Sequence, residues 1–301
     1  MPRSDAPPAA AASEAGLMPP EPPVVSPRTL HEAYAVLAAL HHRPLAGGTD
    51  LMVQLNGEIG EPPDRVLDLW GLDELRGIVL DDDALSVGAL ATYTDIRRSP
   101  DVAEHLPVLA ECAATIGAAQ IQNRGTLGGN AANASPAGDT LPILLATDAD
   151  LVLGSSRGER RVPAAEFWLA YRQTALAPDE LILRVRFPLP GRRNVRFRKV
   201  GTRRAQAISK VVMALAWQPG EGGTWWDVRV ALGSMAATPV RAPRTEAVLE
   251  GAAPIAEVAD RAATALAAEL SPIDDVRSTA DYRRAVASRV LLRLIRDEGG
   301  W

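Results

Sequence analysis

Cysteine is almost absent from this chain. Cys112 is its single thiol in 301 residues, which excludes an internal disulfide and any all-cysteine zinc or iron–sulfur site. A reducing cytoplasm is the compartment that such usage fits. Histidine is scarce as well. The adjacent pair His41-His42 has no distant ligand cluster behind it and reads as surface polar sequence, so no metal-binding residue is assigned. No apolar run of about 18 residues free of charge occurs, so no membrane span is expected. The sequence contains no GxGxxG, no GxxxxGK[ST] and no zincin motif, which removes the usual Rossmann, P-loop and zinc-hydrolase readings. A net charge of -5 and a pI near 5.5 give no overall pull toward nucleic acid or anionic lipid, so any anion site must be local.

What is present is enough apolar residue, 47%, to build the two or three cores that this length implies. Residues 1–23 are rich in proline and alanine, lack the h-region of a signal peptide and read as a disordered tail. Order begins near Val24. Thr29 and Glu32 have capping-box spacing, and Leu30, Ala33, Tyr34, Leu37 and Leu40 recur at helical intervals. An apolar piece from Pro44 to Ala46 enters Gly47-Gly48-Thr49-Asp50. A second helix follows, with Asp50 as its N-cap or first-turn acid and its end at Asn56-Gly57, and Arg65 to Trp70 reads as strand, completing a β-α-β unit with its glycine turn exposed.

From Leu75 the texture changes to short strands, at 77–80 and 84–88, then a helix over 107–116 and another over 141–147. Residues 149–153 pair with 160–162 as a hairpin, and Leu181 to Phe187 closes that sheet. Pro188 to Gly191 marks a boundary. Beyond it, strands at 195–200, 207–217 and 225–233 precede helices at 244–249, 255–270 and 279–296.

Two glycine pairs, Gly47-Gly48 and Gly128-Gly129, each sit between an apolar segment and a predicted helix, where bare N–H groups can face an anion. One pair alone is an ordinary turn; two in one chain point to a pyrophosphate cradle. Asn130, Asn133, Ser135 and Asp139 offer polar groups to the hydroxyls of an extended ligand. Asp139 reads equally as the N-cap of the helix at Leu141. Residues 196–210 hold six basic residues and no acid, and form either a solvated strand or a surface on which Lys199 and Arg203 face a cofactor. Phe197 is the one aromatic there, too few for nucleic-acid stacking. Cys112 reads as a core residue.

Five blocks then stand in a familiar order and spacing: LAGGTDLMVQLNG (45–57), QIQNRGTLGGNAANASPAGDTLPILLA (120–146), YRQTALAPDELILRVRFP (171–188), KVGTRRAQAISKVV (199–212) and GSMAATPVRAPRTEAVLEG (233–251). Together they resemble the FAD-binding medium subunit of the molybdenum hydroxylases, the family of carbon monoxide dehydrogenase and xanthine dehydrogenase, over residues 24–297. The resemblance implies an α+β fold: a two-subdomain FAD-binding module of the vanillyl-alcohol-oxidase type over 24–190, divided near residue 74, followed by a smaller α/β C-terminal domain over 191–301. It implies that Ala46, Gly47, Gly48, Thr49 and Asp50 form one pyrophosphate loop and Thr126, Leu127, Gly128, Gly129 and Asn130 the other. Ser135 and Asp139 then contact the adenosine or ribityl part, and Lys199 lies near the flavin ring.

In that family the substrate is oxidised at a molybdopterin cofactor in a large subunit, and [2Fe-2S] clusters in a small subunit relay electrons to FAD. The implied role of this chain is electron transfer through FAD to an external acceptor, in a dimer of heterotrimers, with no side chain of its own assigned to catalysis. Gln122 departs from the pattern, standing where related sequences often have arginine. No cysteine-bearing insertion is present, so the extra cluster of one branch is excluded. Two rival readings are a stand-alone FAD-dependent oxidoreductase acting on a small molecule, and a colourless binding or assembly module.

Overall fold

The computed structural model describes residues 22–56, 61–189, 191, 193–203, 206–299 and 301. All but Pro22 and Pro23 of the expected N-terminal tail lies outside the described residues, as does Gly57 at the expected end of the second helix. Among the described residues the chain is mixed α+β and built on three principal sheets.

The first sheet is parallel and comes from β1 (Val24–Val25), α1 (Leu30–Ala39), β2 (Arg43–Leu45), α2 (Leu51–Asn56) and β3 (Val66–Asp68), in the order β1-β3-β2. Parallel neighbours need a crossover between them, which is why a helix precedes β2 and another precedes β3. Thr29 caps α1, its hydroxyl accepting from the Glu32 N–H, while the Glu32 carboxylate reaches back to the Arg28 N–H. Ala33 and Leu37 of α1 bury against Leu67, Leu69, Leu72 and Leu75.

The second sheet is antiparallel, β4-β5-β10-β6-β7. Its chain order is β4 (Ile78–Leu80), β5 (Ala84–Gly88), α3 (Tyr93–Arg98), α4 (Pro100–His105), α5 (Pro107–Ala114), α6 (Ala119–Gln122), α7 (Leu127–Asn133) and α8 (Leu141–Ala146). Then come β6 (Asp150–Ser155), β7 (Gly158–Pro163), α9 (Ala164–Phe167), a small hairpin of β8 (Trp168–Ala170) and β9 (Gln173–Thr174), and β10 (Leu181–Pro188). The β6–β7 hairpin turns between Ser155 and Gly158 as the sequence predicts. Leu181 to Phe187 does not close the sheet; it is the central strand. Its near-continuous apolar run suits burial on both faces, with Leu181 and Leu183 in the first core and Ile182, Val185 and Phe187 in the second.

The third sheet is β11 (Asn194–Val200), β12 (Val211–Pro219), β13 (Trp225–Gly233) and β14 (Val240–Arg241), followed by α10 (Pro243–Leu249), α11 (Ala256–Glu269) and α12 (Ala280–Gly299). Along β12 the side chains alternate between two cores. Val212, Ala214 and Ala216 face the core of the second sheet, and Met213, Leu215 and Trp217 face the helices that follow. The strand starts at Val211 rather than Ala207, because Gln206 takes a left-handed φ of 52° and Ser209 turns its hydroxyl inward to Asp139.

Candidate functional site

The first glycine loop leaves the C-terminal end of β2 and turns into α2. Gly48 has a φ of +77°, a left-handed conformation that favours glycine. Gly47 is required for a different reason: a Cβ there would lie 1.7 Å from the carbonyl oxygen of Arg124. The loop therefore rests on bare backbone just ahead of the second glycine segment. The Arg124 side chain adds a second contact. Its Nε donates to the Gly47 carbonyl at 3.4 Å, and its guanidinium lies 3.7 Å from the centroid of the Trp70 ring, which Arg76 also covers at 4.5 Å. Among the described residues, the main-chain N–H groups of Gly47, Gly48, Thr49, Asp50 and Leu51 find no acceptor.

The second pair is built otherwise. Gly128 and Gly129 lie inside the first turn of α7, not ahead of it, and their N–H groups are engaged: Gly128 donates to Ala89 and Gly129 to the hydroxyl of its own N-cap, Thr126. Leu127 and Asn130 donate to the carbonyls of Ala91 and Thr126. What these glycines supply is closeness. A Cβ on Gly128 would meet Ala89 at 2.6 Å, and one on Gly129 would meet the Thr126 hydroxyl at 2.8 Å with Ala46 at 3.7 Å.

Between the loops runs a cavity of about 340 Å³. Ala46, Gly47, Gly48, Thr49 and Asp50 line it from one side and Thr126, Gly128, Gly129 and Asn130 from the other. Leu127 is fully buried and does not line it, nor do Ser135, Asp139 and Lys199. Tyr93, Leu176, Leu181 and Ile182 form part of the apolar wall, and none of them is a site residue expected from the sequence. Three of these lie in the 171–188 block, whose pattern was visible but whose residues carry no motif chemistry of their own.

Asp50 does not use its carboxylate as a helix cap. It accepts from Asn133 Nδ2 at 2.9 Å, and Asn133 Oδ1 accepts from Arg172 Nη1 at 2.9 Å. Asp139 is no cap either, since Thr140 precedes α8. Asp139 pairs with Lys199 at 2.6 Å, both side chains being about nine-tenths buried, and accepts from the Ser209 hydroxyl. Lys199 also donates to the Thr115 carbonyl at 3.1 Å. Burial pushes the Asp139 carboxyl above its ordinary value, with Lys199 and Ser209 opposing the shift. This pair ties β11 to the segment between α7 and α8 and to the end of α5.

The basic window is thus partly compensated. Lys199 is paired with Asp139, Arg196 with Glu298 at 2.7 Å, and the Arg203 guanidinium donates to the Gln206 carbonyl. Gln122 is buried and satisfied at both ends, accepting from Arg97 and donating to the Ala114 and Ile116 carbonyls. Cys112 is a core residue, and burial drives its thiol well above the usual range. His42 is buried, with Nδ1 against the Leu40 carbonyl, so only His41 is surface. No helix among the described residues is long and apolar enough to cross a membrane.

Comparison with known proteins gives this geometry a context. Residues 15–190 match the family described as the FAD binding domain in molybdopterin dehydrogenase, and residues 196–297 match the CO dehydrogenase flavoprotein C-terminal domain. The chain is 32% identical over 285 residues to the carbon monoxide dehydrogenase medium chain of Hydrogenophaga pseudoflava, covering 93% of this chain and 97% of that one. A putative xanthine dehydrogenase FAD-binding subunit of Escherichia coli is 28% identical over 263 residues, covering 85% and 89%. Among solved structures, the H. pseudoflava carbon monoxide dehydrogenase superimposes with a TM-score of 0.87 over 92% of this chain and 96% of that one. Quinoline 2-oxidoreductase from Pseudomonas putida 86 gives 0.87 at 28% identity, covering 93% and 98%.

Proposed function

Because the chain belongs to the family of FAD-binding medium subunits of the molybdenum hydroxylases, an oxidoreductase family, we propose that its cavity holds FAD and that the chain passes electrons from the [2Fe-2S] clusters of a partner subunit to an external acceptor. The observation that carries this reading is the run of N–H groups from Gly47 to Leu51 that find no acceptor among the described residues, in a segment lining a cavity between two glycine segments that tolerate no added Cβ at Gly47 or Gly128 without a shift of backbone or neighbour. Such N–H groups hold a diphosphate without a side-chain charge. Gly129, next to Ala46, keeps the second wall within reach of the first.

In this reading Ala46, Thr49, Asp50, Thr126 and Asn130 complete the cofactor contacts, and Leu127 supports them from the core. Ser135, Asp139 and Lys199 serve the same cofactor beyond the cavity, where the FAD-binding domain (24–190) meets the C-terminal domain (191–301), with Lys199 beside the flavin ring. Bound FAD supplies the conversion between one-electron relay and a two-electron acceptor. The chain's own residues bind, orient and shield it, and none acts as acid or base on a substrate. The partners proposed are a small iron–sulfur subunit and a large molybdenum subunit, in a cytoplasmic dimer of heterotrimers.

The test is the visible spectrum of the chain isolated under mild conditions from its native source with its partners retained. Flavin bands over broad iron–sulfur absorption, with two partner chains on a gel, are the expected result. Flavin bands and substrate turnover from this chain alone would replace the proposal with a stand-alone flavoenzyme, and a colourless preparation would sink both.

A further inference from the structure

Arg172 lies at the turn between β8 and β9 and lines the cavity. Its backbone is left-handed, with a φ of 53°, which costs a non-glycine residue on the order of 1 kcal/mol or more and is kept only where the surroundings fix it. Trp168, at the start of the hairpin, anchors it by donating Nε1 to the buried Ala131 carbonyl at 3.0 Å. Asn133 then fixes the arginine head: its amide nitrogen is committed to Asp50 Oδ1, so its oxygen faces Arg172 Nη1.

Among the described residues the guanidinium uses two of its five donors, both on neutral acceptors: Asn133 Oδ1, and the Tyr171 hydroxyl at 3.4 Å. Arg172 makes no ion pair among the described residues. The other charged groups at the cavity differ. Glu180 is spent on Arg160, both contacts being 2.7 Å, and Arg43 stands at the far end of β2 from the first glycine loop. Two hydrogen bonds in series bring Arg172, by contrast, to Asp50, within the segment whose N–H groups have no acceptor.

We propose that Arg172 is a further cofactor-binding residue, its guanidinium held by Asn133 so that it takes a phosphate oxygen of the dinucleotide whose diphosphate lies on the first glycine loop. This rests on the FAD reading above. Loop N–H groups supply partial charges only. Arg172 adds a full charge with a planar fork suited to phosphate, at the exposed rim where the ligand enters.

The experiment titrates FAD into the full-length, cofactor-stripped chain at several salt concentrations, for wild type, Arg172→Gln, Arg172→Lys and Asn133→Ala, with the melting midpoint of each cofactor-free protein alongside. Arg172→Gln should weaken FAD binding by about tenfold at low salt and flatten its salt dependence, with an unchanged melting midpoint. Arg172→Lys should keep the salt dependence, and Asn133→Ala should fall between. Arg172→Gln binding FAD within about twofold of wild type overturns the inference and leaves the FAD reading standing. So does a lowered midpoint with an intact salt dependence, which would make the arginine a structural latch. Wild type that binds no FAD overturns both.

Discussion

Lys199 Nζ stands 2.6 Å from Asp139 Oδ2, joining the first strand of the third sheet to a segment sixty residues earlier that leads into α8. Both side chains are withdrawn from water, and three hydrogen bonds complete the cluster: Ser209 to Asp139, Lys199 to Asp139 and Lys199 to the Thr115 carbonyl. A buried pair of this kind contributes little net stability over an apolar replacement, yet removing one partner strands the other in low dielectric.

Asp139→Ala is therefore expected to cost about 3–5 kcal/mol of unfolding free energy, whereas Asp139→Leu combined with Lys199→Met recovers most of the loss. Urea unfolding of the cofactor-free chain checks both. A double variant no better than Asp139→Ala would mean that the pair is more than a mutually compensated contact. FAD retention should fall in the double variant even where stability is recovered, if the pair also serves the flavin.

Gly47→Ala should abolish FAD retention, because its Cβ would occupy the position of the Arg124 carbonyl and both segments would have to part. Gly129→Ala meets only the Thr126 hydroxyl at 2.8 Å, which forfeits a cap worth about 1 kcal/mol and leaves the loops together. The flavin-to-protein absorbance ratio should rank wild type above Gly129→Ala, and Gly129→Ala far above Gly47→Ala. Equal ratios for the two variants would detach the steric argument from the site.

Much of this site was legible in the sequence because its decisive residues are glycines, whose use is local. Gly47-Gly48 announced an exposed turn after an apolar strand, and the turn is there with N–H groups that find no acceptor among the described residues. The second pair announced the same thing, but its amides are spent on Ala89 and Thr126, partners whose proximity depends on tertiary packing. The helices α3, α4, α6 and α7 were not anticipated, since at four to seven residues they span too little chain for a periodic signal. Thr92 with Asp95, and Ser99 before Pro100, are their start signals. Leu181 to Phe187 was expected to close its sheet because strand order is a long-range property, whereas its apolar run, broken only by Arg184 and Arg186, already suited a central strand. The Asp139–Lys199 pair had no sequence signal at all, as its members lie in different blocks.

Cys112 should not react with a thiol reagent in the native protein. It is fully buried, and burial raises its pKa well above the usual thiol range, so almost no thiolate forms near neutral pH. One equivalent should titrate with Ellman's reagent in denaturant and none without. Native labelling on the timescale of minutes would reveal local opening of α5, on whose buried face the cysteine sits.

Acid should loosen the cavity wall through Glu180. Arg160 binds both of its oxygens, and the Ala177 N–H adds a third bond; the Arg160 contacts hold its carboxyl below the ordinary value, against an opposing effect of burial. A carboxylate with a depressed folded pKa contributes stability that is present above its unfolded pKa and is lost as pH falls through the folded one. Asp139 has the opposite sign: its raised pKa favours the folded state below the ordinary carboxylate value, a contribution lost as pH rises through the folded one. Glu180→Gln should accordingly be less stable than wild type at neutral pH, and the two should converge as pH falls from the ordinary carboxylate range through the lower folded value, where the wild-type advantage titrates away. Urea midpoints measured across that range decide the matter. Parallel curves would show that Glu180 keeps no charge-dependent hold on the wall.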